Sequence, residues 1–407
     1  MRDCEAGRMD LGALLGAVED ASPVAAADVL GQQLATSIGA TEVTFLIADF
    51  SGQALIRLGH AGTAAATRTQ GRETAERVPL SDGPHGRALA AQELEVVDDD
   101  GGARVYAPVT NRGEAIGVLE LRLPDPPDDD TLADVSLAAH ALAYVIVANR
   151  RYTDLFEWGQ RSVPLSLAAE IQHRLLPASY TLEAGQFSIA GWLEPAGDNA
   201  GDTFDFSLGR DSVHLSLTDA MGHNVGAAVL ATVLVGALRN ARRAGVGLAD
   251  QAQLANAALI DHTERDEFVT GQLVRIDLAS EAAHIINAGH PRPLRVRDGR
   301  VEAIELAADP PFGVVRNHPY RVQPLPLEPG DRVYFVTDGI LERPPDVDLP
   351  ALMTATAGQH PREAVQCLMA AVLDALGGEL EDDATVMCLD WHGGPPRDRN
   401  SRAGANR

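Results

Sequence analysis

The stretch Leu217-Thr218-Asp219-Ala220-Met221-Gly222-His223 decides how this chain is read. It closes the run Val213-His214-Leu215-Ser216-Leu217-Thr218, in which apolar and polar residues alternate with the period of a β-strand. One face of that strand is expected in a sheet, the other free for chemistry. Asp219 is expected as its last residue, before a glycine-assisted turn. From Gly226 to Leu238 the sequence is almost unbroken in apolar residues, which reads as a buried helix behind the strand end, too short to cross a membrane.

A lone aspartate at a strand end is more often a turn or cap residue than a ligand. Three further segments repeat the pattern. Gly201-Asp202-Thr203-Phe204-Asp205 follows the small-residue turn Ala196-Gly197-Asp198-Asn199-Ala200, Val333-Tyr334-Phe335-Val336-Thr337-Asp338-Gly339 is a buried strand ending in Asp-Gly, and Asp382-Asp383 opens Ala384-Thr385-Val386-Met387-Cys388-Leu389. Acids at four strand ends can converge where two sheets pack together. Carboxylates without Cys or clustered His ligands favour hard cations such as magnesium or manganese. Two such ions about 3.5 to 4 Å apart would activate a water for in-line attack on phosphorus.

Over residues 165 to 391 the sequence resembles the metal-dependent serine/threonine protein phosphatases of the PPM family, in their bacterial SpoIIE and RsbU branch. The resemblance rests on five blocks in the family's order: Ala200-Gly201-Asp202-Thr203-Phe204-Asp205, Asp219-Ala220-Met221-Gly222-His223, Asn287-Ala288-Gly289-His290-Pro291, Phe335-Val336-Thr337-Asp338-Gly339-Ile340-Leu341-Glu342 and Asp382-Asp383-Ala384-Thr385-Val386. It implies an α/β fold, an α-β-β-α sandwich of two antiparallel sheets flanked by helices. It also implies two Mn2+ or Mg2+ ions, with Asp219 bridging both, Asp338 and Asp382 completing one site, and Asp202 with the Ala220 carbonyl serving the other. Asp383 is an outer-shell or alternate ligand. The resemblance further implies hydrolysis of phosphoserine or phosphothreonine on a regulatory protein, an anti-sigma-factor antagonist. No activated Cys, Ser or His nucleophile stands out, so no phosphoenzyme is expected. The alternative is a non-catalytic sensor or scaffold that binds a phosphoprotein through the same fold.

Two positions depart from the branch pattern. Asn224 stands where a glycine often follows the histidine, and Ala200 where the first block often has glycine; Asn tolerates left-handed backbone better than most residues. A general acid is not fixed by the sequence. His290 reads best as a turn residue, whereas His223 is equally compatible with a turn and with proton transfer.

The rest of the chain is read around this unit. At 407 residues it exceeds one hydrophobic core. Its formal charge of −25, from 33 basic and 58 acidic residues, argues against nucleic acid or an anionic membrane as partner. The 3 cysteines have no ligand spacing, and no leader precedes the first helix, so a cytoplasmic protein is expected. Five segments are expected: an N-terminal segment 1–19, an α/β domain 20–150, a helical linker 151–178, the phosphatase-like domain 179–392 and a disordered tail 393–407. Helical spacing runs from Leu11 to Ile38 with a break at Pro23, and in the second segment Glu42–Ala48 with Gln53–Leu58 forms a hairpin. Arg104–Val109 and Ala115–Leu121 pair across Thr110-Asn111-Arg112-Gly113-Glu114, an order similar to a GAF sensor domain. That resemblance implies either a pocket for a small ligand or a structural dimerisation module. Helical segments after Thr131 and around Leu165–Leu176 could pair with their copies in a homodimer or pack on their own domain. The peptide Ala169–Pro177 is similar to the linker that enters RsbU-like phosphatase domains, placing a lever next to Asp202.

Overall fold

The structure, a computed structural model, describes residues 9–50, 52–60, 68–70, 73–80, 83–161, 165–197, 200–262, 267–341, 347–378 and 380–395. Asp198, Asn199, Glu342 and the tail beyond residue 395 therefore lie outside the described residues. The chain divides into two compact units, the second beginning at Leu165.

The first unit runs α1 (Leu11–Asp20), α2 (Ala26–Ile38), β1 (Glu42–Ala48), β2 (Ala54–His60), β3 (Arg68–Gln70), β4 (Glu73–Pro79), α3 (Pro84–Ala91), β5 (Glu95–Asp99), β6 (Gly102–Asn111), β7 (Glu114–Leu123), α4 (Asp129–Asn149) and α5 (Leu155–Gln160). Its antiparallel sheet has the order β3-β4-β2-β1-β7-β6-β5. The expected hairpin and the β6–β7 pair are both present, while β3, β4 and β5, short and polar, were not foreseen. Leu30, Leu34, Leu119, Leu121, Val135 and Leu142 close α2 and α4 over one sheet face. Asp128 caps α4 by accepting the Thr131 amide at 2.8 Å, a first-turn donor that has no partner within the helix.

The second unit runs α6 (Leu167–Leu175), β8 (Thr181–Glu183), β9 (Phe187–Glu194), β10 (Asp202–Leu208), β11 (Ser212–Ala220), α7 (Asn224–Arg243), α8 (Leu248–His262), β12 (Val269–Asp277), β13 (Ala283–Ala288), β14 (Leu294–Arg297), β15 (Arg300–Ala303), β16 (Gln323–Pro324), β17 (Asp331–Val336), α9 (Asp338–Leu341), α10 (Leu349–Ala355), α11 (Pro361–Ala375) and β18 (Ala384–Trp391). Two antiparallel sheets, β10-β11-β12-β13-β16 and β15-β14-β17-β18-β9-β8, face each other. Phe187, Phe204, Leu215, Leu217, Phe335, Met387 and Trp391 fill the space between them. The outer face of the second sheet packs Tyr334, Val386 and Cys388 on Val365, Leu368 and Met369 of α11. That of the first packs Ala220, Leu273 and Ile286 on Leu230 and Leu234 of α7 and Leu259 of α8. This is the expected α-β-β-α sandwich.

Three local expectations are corrected. The apolar run behind Asp219 is a helix of 20 residues, so α7, like α4, is long and apolar enough to cross a membrane by length and composition alone. Each nonetheless puts one face into a core, Leu230, Leu234 and Leu238 in α7 and Val135, Leu142 and Ile146 in α4. Asp338 does not end β17 but opens the short helix α9 after Thr337. The tail's first residues are tied down: Gly393 N donates to Gln186 O at 3.1 Å and Gly394 N to Glu281 Oε1 at 2.9 Å.

Ion pairs fix α7 to the site-bearing strand. Asp205 of β10, nearly inaccessible to solvent, accepts Arg239 at 3.1 Å and Arg242 at 3.0 Å, and Arg239 also donates to the Leu175 carbonyl at the end of α6 at 2.5 Å. Such a paired, buried carboxylate anchors three elements at once.

Candidate metal centre

Strand alternation carries the acids into the space between the sheets. Val213, Leu215 and Leu217 belong to the inter-sheet core, and Asp219, two residues on, shares their face. This corrects the expectation that chemistry would use the strand's free face, and β11 itself continues to Ala220. On β10, Phe204 faces the same core, so Asp202 does too, directly opposite Asp219 in the β10–β11 register. Across the gap, Val333 and Phe335 lead to Thr337, while Met387 and Leu389 lead back to Thr385 and Asp383. At one end of the sandwich, therefore, the apolar core gives way to a polar layer.

Asp202 is 2% exposed. Its Oδ2 accepts the Thr337 hydroxyl at 2.8 Å and the Thr385 hydroxyl at 2.6 Å. Burial pushes its carboxyl well above the ordinary range, and the charges of Asp219 and Asp383 push the same way against the two hydroxyls. Asp219 is pushed up to about 7 by burial first, then by Asp338, Asp382 and Asp383, with the Thr270 hydroxyl acting in the opposite sense. These carboxylates thus feel one another's charge although they come from four separate segments.

Such a cluster fits a bound cation. Like charges opposed across a strand pair destabilise the fold, and a divalent ion is the charge that would offset them. Among the described residues no three His, Cys, Asp or Glu side chains come together tightly enough to enclose an ion. The acids run instead from buried Asp202 through half-buried Asp219 and Asp338 to exposed Asp382, a spread that suits a magnesium-like ion that keeps several waters and uses one or two carboxylates. Asp338 is half-buried at the start of α9, and Asp382 is exposed, its Oδ1 accepting the Asp383 amide at 2.8 Å.

Backbone groups are placed as tightly. The Ala220 amide donates to Gly201 O at 3.2 Å, and a Cβ on Gly201 would come within 2.4 Å of the Ala220 carbonyl oxygen. Only glycine allows that approach. Asn224 takes a left-handed φ of 63°, as its residue type permits, and starts α7 behind the exposed His223.

Asp383 is buried and turned toward four donors. It is 2% exposed, and its oxygens accept Ala196 N at 2.9 Å, Gly201 N at 3.0 Å, Asp202 N at 3.4 Å and Gln172 Nε2 at 2.5 Å. Burial raises its carboxyl above the usual range even against those bonds. These bonds make it a pin for the turn that delivers Asp202. Gln172 of α6 also donates to the Asp202 carbonyl at 3.0 Å. Sequence reading passed over Gln172, Thr270, Thr337 and Thr385. The threonines carried a signal, since each continues the inward parity of an apolar strand; Gln172, a polar residue on a helix, carried none.

His290 is buried, and its backbone matches the turn reading: its N–H donates to Asn287 Oδ1 at 2.9 Å and its carbonyl accepts Asn287 Nδ2 at 3.0 Å.

Residues 209–392 match the family described as Stage II sporulation protein E (SpoIIE). The second unit carries this match to the SpoIIE family. The matched span includes Asp219, Asp338 and Asp382, with Asp202 just ahead of it. Stage II sporulation protein E of Bacillus subtilis is 24% identical over 196 residues, 47% of this chain and 24% of that protein. Phosphoserine phosphatase RsbU of the same organism is 22% identical over 239 residues, 55% of this chain and 69% of that protein. Among solved structures, the RsbU and RsbW domains of Rv1364c from Mycobacterium tuberculosis superimpose with a TM-score of 0.46 at 24% identity, over 53% of this chain and 63% of that one. The chain thus spans about a quarter of the length of the first relative.

Proposed function

We propose that this protein is a metal-dependent protein serine/threonine phosphatase that removes phosphate from a regulatory protein, of the anti-sigma-factor-antagonist type. The observation that carries the reading is the burial of Asp202 directly opposite Asp219 at the polar end of the sandwich, with Asp338 and Asp382 at its edge. Asp219 would bridge two Mn2+ or Mg2+ ions, with Asp338 and Asp382 on one and Asp202 and the Ala220 carbonyl on the other. Bound there, the ions would supply a water acidic enough to act near neutral pH and charge to receive the phosphoryl oxygens. The chain's own part is to hold its carboxylates in place: Thr337 and Thr385 aim Asp202, and Asp383 and Gln172 hold the turn that delivers it.

The similarity to RsbU, a phosphoserine phosphatase, supports this substrate class. We assign the first unit a GAF-like regulatory role, through a small ligand or through homodimer contacts; exposed Leu137, Tyr144 and Val147 on α4 favour the second. Its control would reach the site along the chain through α6, whose Gln172 bonds both Asp202 and Asp383. We place the protein in the cytoplasm, acting on a protein substrate and on neither nucleic acid nor membrane.

The test is phosphate release from a phosphoserine peptide and from a phosphorylated antagonist protein by the full chain, with manganese, magnesium or chelator. Metal-dependent release is expected. Tight retention of the phosphoprotein without release under every metal condition would instead establish the binding-only alternative.

A further inference from the structure

We propose that Arg239 is a positioning residue for the candidate metal centre: by joining α6 to β10 through Asp205, it holds Gln172 against Asp202 and Asp383. The proposal rests on the reading of α6 as the route to the site. Strand β10 serves two faces at once. Asp202 shares the inward parity of Phe204, while Asp205, of opposite parity, faces α7. There the Arg239 guanidinium meets both Asp205 oxygens, Nε and Nη2 each donating at 3.1 Å, and Nη2 also reaches the Leu175 carbonyl at 2.5 Å. Three residues back on α6, Gln172 Nε2 donates to the Asp202 carbonyl at 3.0 Å and to Asp383 Oδ2 at 2.5 Å. The bonds close a ring: from Asp202 to Asp205 along β10, across Arg239 to Leu175, and back along α6 to Gln172.

Helix α6 has 9 residues, too few to hold as a helix in isolation. Near its start Ala168 packs with Ala200 and Ala228, and further on His173 Nδ1 meets the Tyr180 hydroxyl at 2.9 Å. Its last carbonyls have no amide ahead of them within the helix to bond. The guanidinium beside Leu175 supplies such a donor, and puts positive charge where the helix gathers its partial negative charge. A planar fork can serve two carboxylate oxygens and a carbonyl in one fixed geometry.

Arg242 is the internal control. Its Nη1 donates to the same Asp205 at 3.0 Å, and among the described residues it makes no bond to α6. Loss of either arginine removes one partner from Asp205. Only loss of Arg239 opens the ring.

The experiment compares Arg239→Met, Arg242→Met, Gln172→Leu and the double variant Arg239→Met with Gln172→Leu, all in the full chain. Hydrogen exchange of the Gly201 and Asp202 amides, both of which donate to Asp383, is followed without metal. Arg239→Met should speed that exchange about tenfold, the low end for losing a bond to a charged group. Arg242→Met should do far less, and the double variant should exchange no faster than Gln172→Leu alone, because both substitutions open one ring. Phosphate release with Mn2+ is measured alongside: kcat should fall in the same order while KM for the phosphoprotein stays as in wild type. If Arg239→Met does not fold, Arg239→Lys, which keeps a charge at Asp205 without the fork, is scored by the same exchange. Wild-type exchange in the Arg239 variant, equal acceleration in Arg242→Met, or full additivity in the double variant would each overturn the positioning role. Absence of metal-dependent release from every protein, wild type included, would overturn the phosphatase reading and leave the exchange to decide the ring.

Discussion

Replacing Asp383 by alanine would strip the acceptor from four donors in a region closed to water. Ala196 N, Gly201 N, Asp202 N and Gln172 Nε2 all point at its two oxygens, at 2.5 to 3.4 Å. A buried donor left without a partner costs about 1–3 kcal/mol, so the three shorter bonds set a gross loss of roughly 3–9 kcal/mol. Two effects offset it: the substitution removes a carboxylate whose burial already disfavours its charge, and water can enter the space left behind. We expect the loss to win by about 3 kcal/mol, which for a unit of this size lowers the melting temperature by about 6–12 °C. The assay is a thermal scan of the full chain without metal, following the transition of the second unit, with Asp382→Ala as the control. Asp382 is exposed, and its loss should move the transition far less. An Asp383→Ala transition within a degree of wild type would refute the reasoning, because it would mean those four donors find other partners.

Three further predictions follow from single contacts. Gly201→Ala puts a methyl within 2.4 Å of the Ala220 carbonyl oxygen, so that carbonyl must move; Mn2+ affinity measured by calorimetry should fall at least about tenfold, and unchanged affinity would remove Ala220 from the ligand set. Gln172→Leu breaks the bonds from α6 to Asp202 and Asp383, and should lower the rate of phosphate release while the far-ultraviolet circular dichroism stays as in wild type; an unchanged rate would refute the route through α6. Burial, together with Arg242 and Arg275, holds the His214 imidazole at about 4, below its unfolded value of about 6.5. The unfolded chain therefore takes the proton first, so the His214 contribution is fully present above pH 6.5 and is lost as pH falls toward 4. Urea midpoints at pH 7.5 and pH 5 should fall less in His214→Gln than in wild type, and equal falls would contradict the assignment.

The fold of the second unit was legible because its strands obey simple periods. Val213, Leu215 and Leu217 alternate strictly, and the apolar blocks around Phe335 and Met387 are strands buried on both faces. The four aspartates announced themselves by position at the ends of those strands. What was misread was direction: Asp219 shares parity with Leu217 and so faces the core, a fact present in the spacing but hidden by the habit of assigning polar chemistry to polar faces. The short strands β3, β15 and β16 carry too few apolar residues to signal themselves, and they form only because longer neighbours offer an edge. Gln172 illustrates the harder case. It is 211 residues from Asp383 in sequence, and nothing local marks one glutamine on an amphipathic helix as the residue that meets it. Partnerships of that range arise from tertiary packing and are absent from any single segment's pattern.

The most direct test of the central claim is steady-state phosphate release from a phosphoserine protein by the full chain across a Mn2+ titration, run beside Asp219→Asn and Asp338→Asn. Release that saturates with Mn2+ in the wild type, vanishes with chelator and is lost in both variants at every metal concentration is the result predicted here. Release by wild type that is indifferent to chelator, or that survives intact in Asp219→Asn, would contradict it.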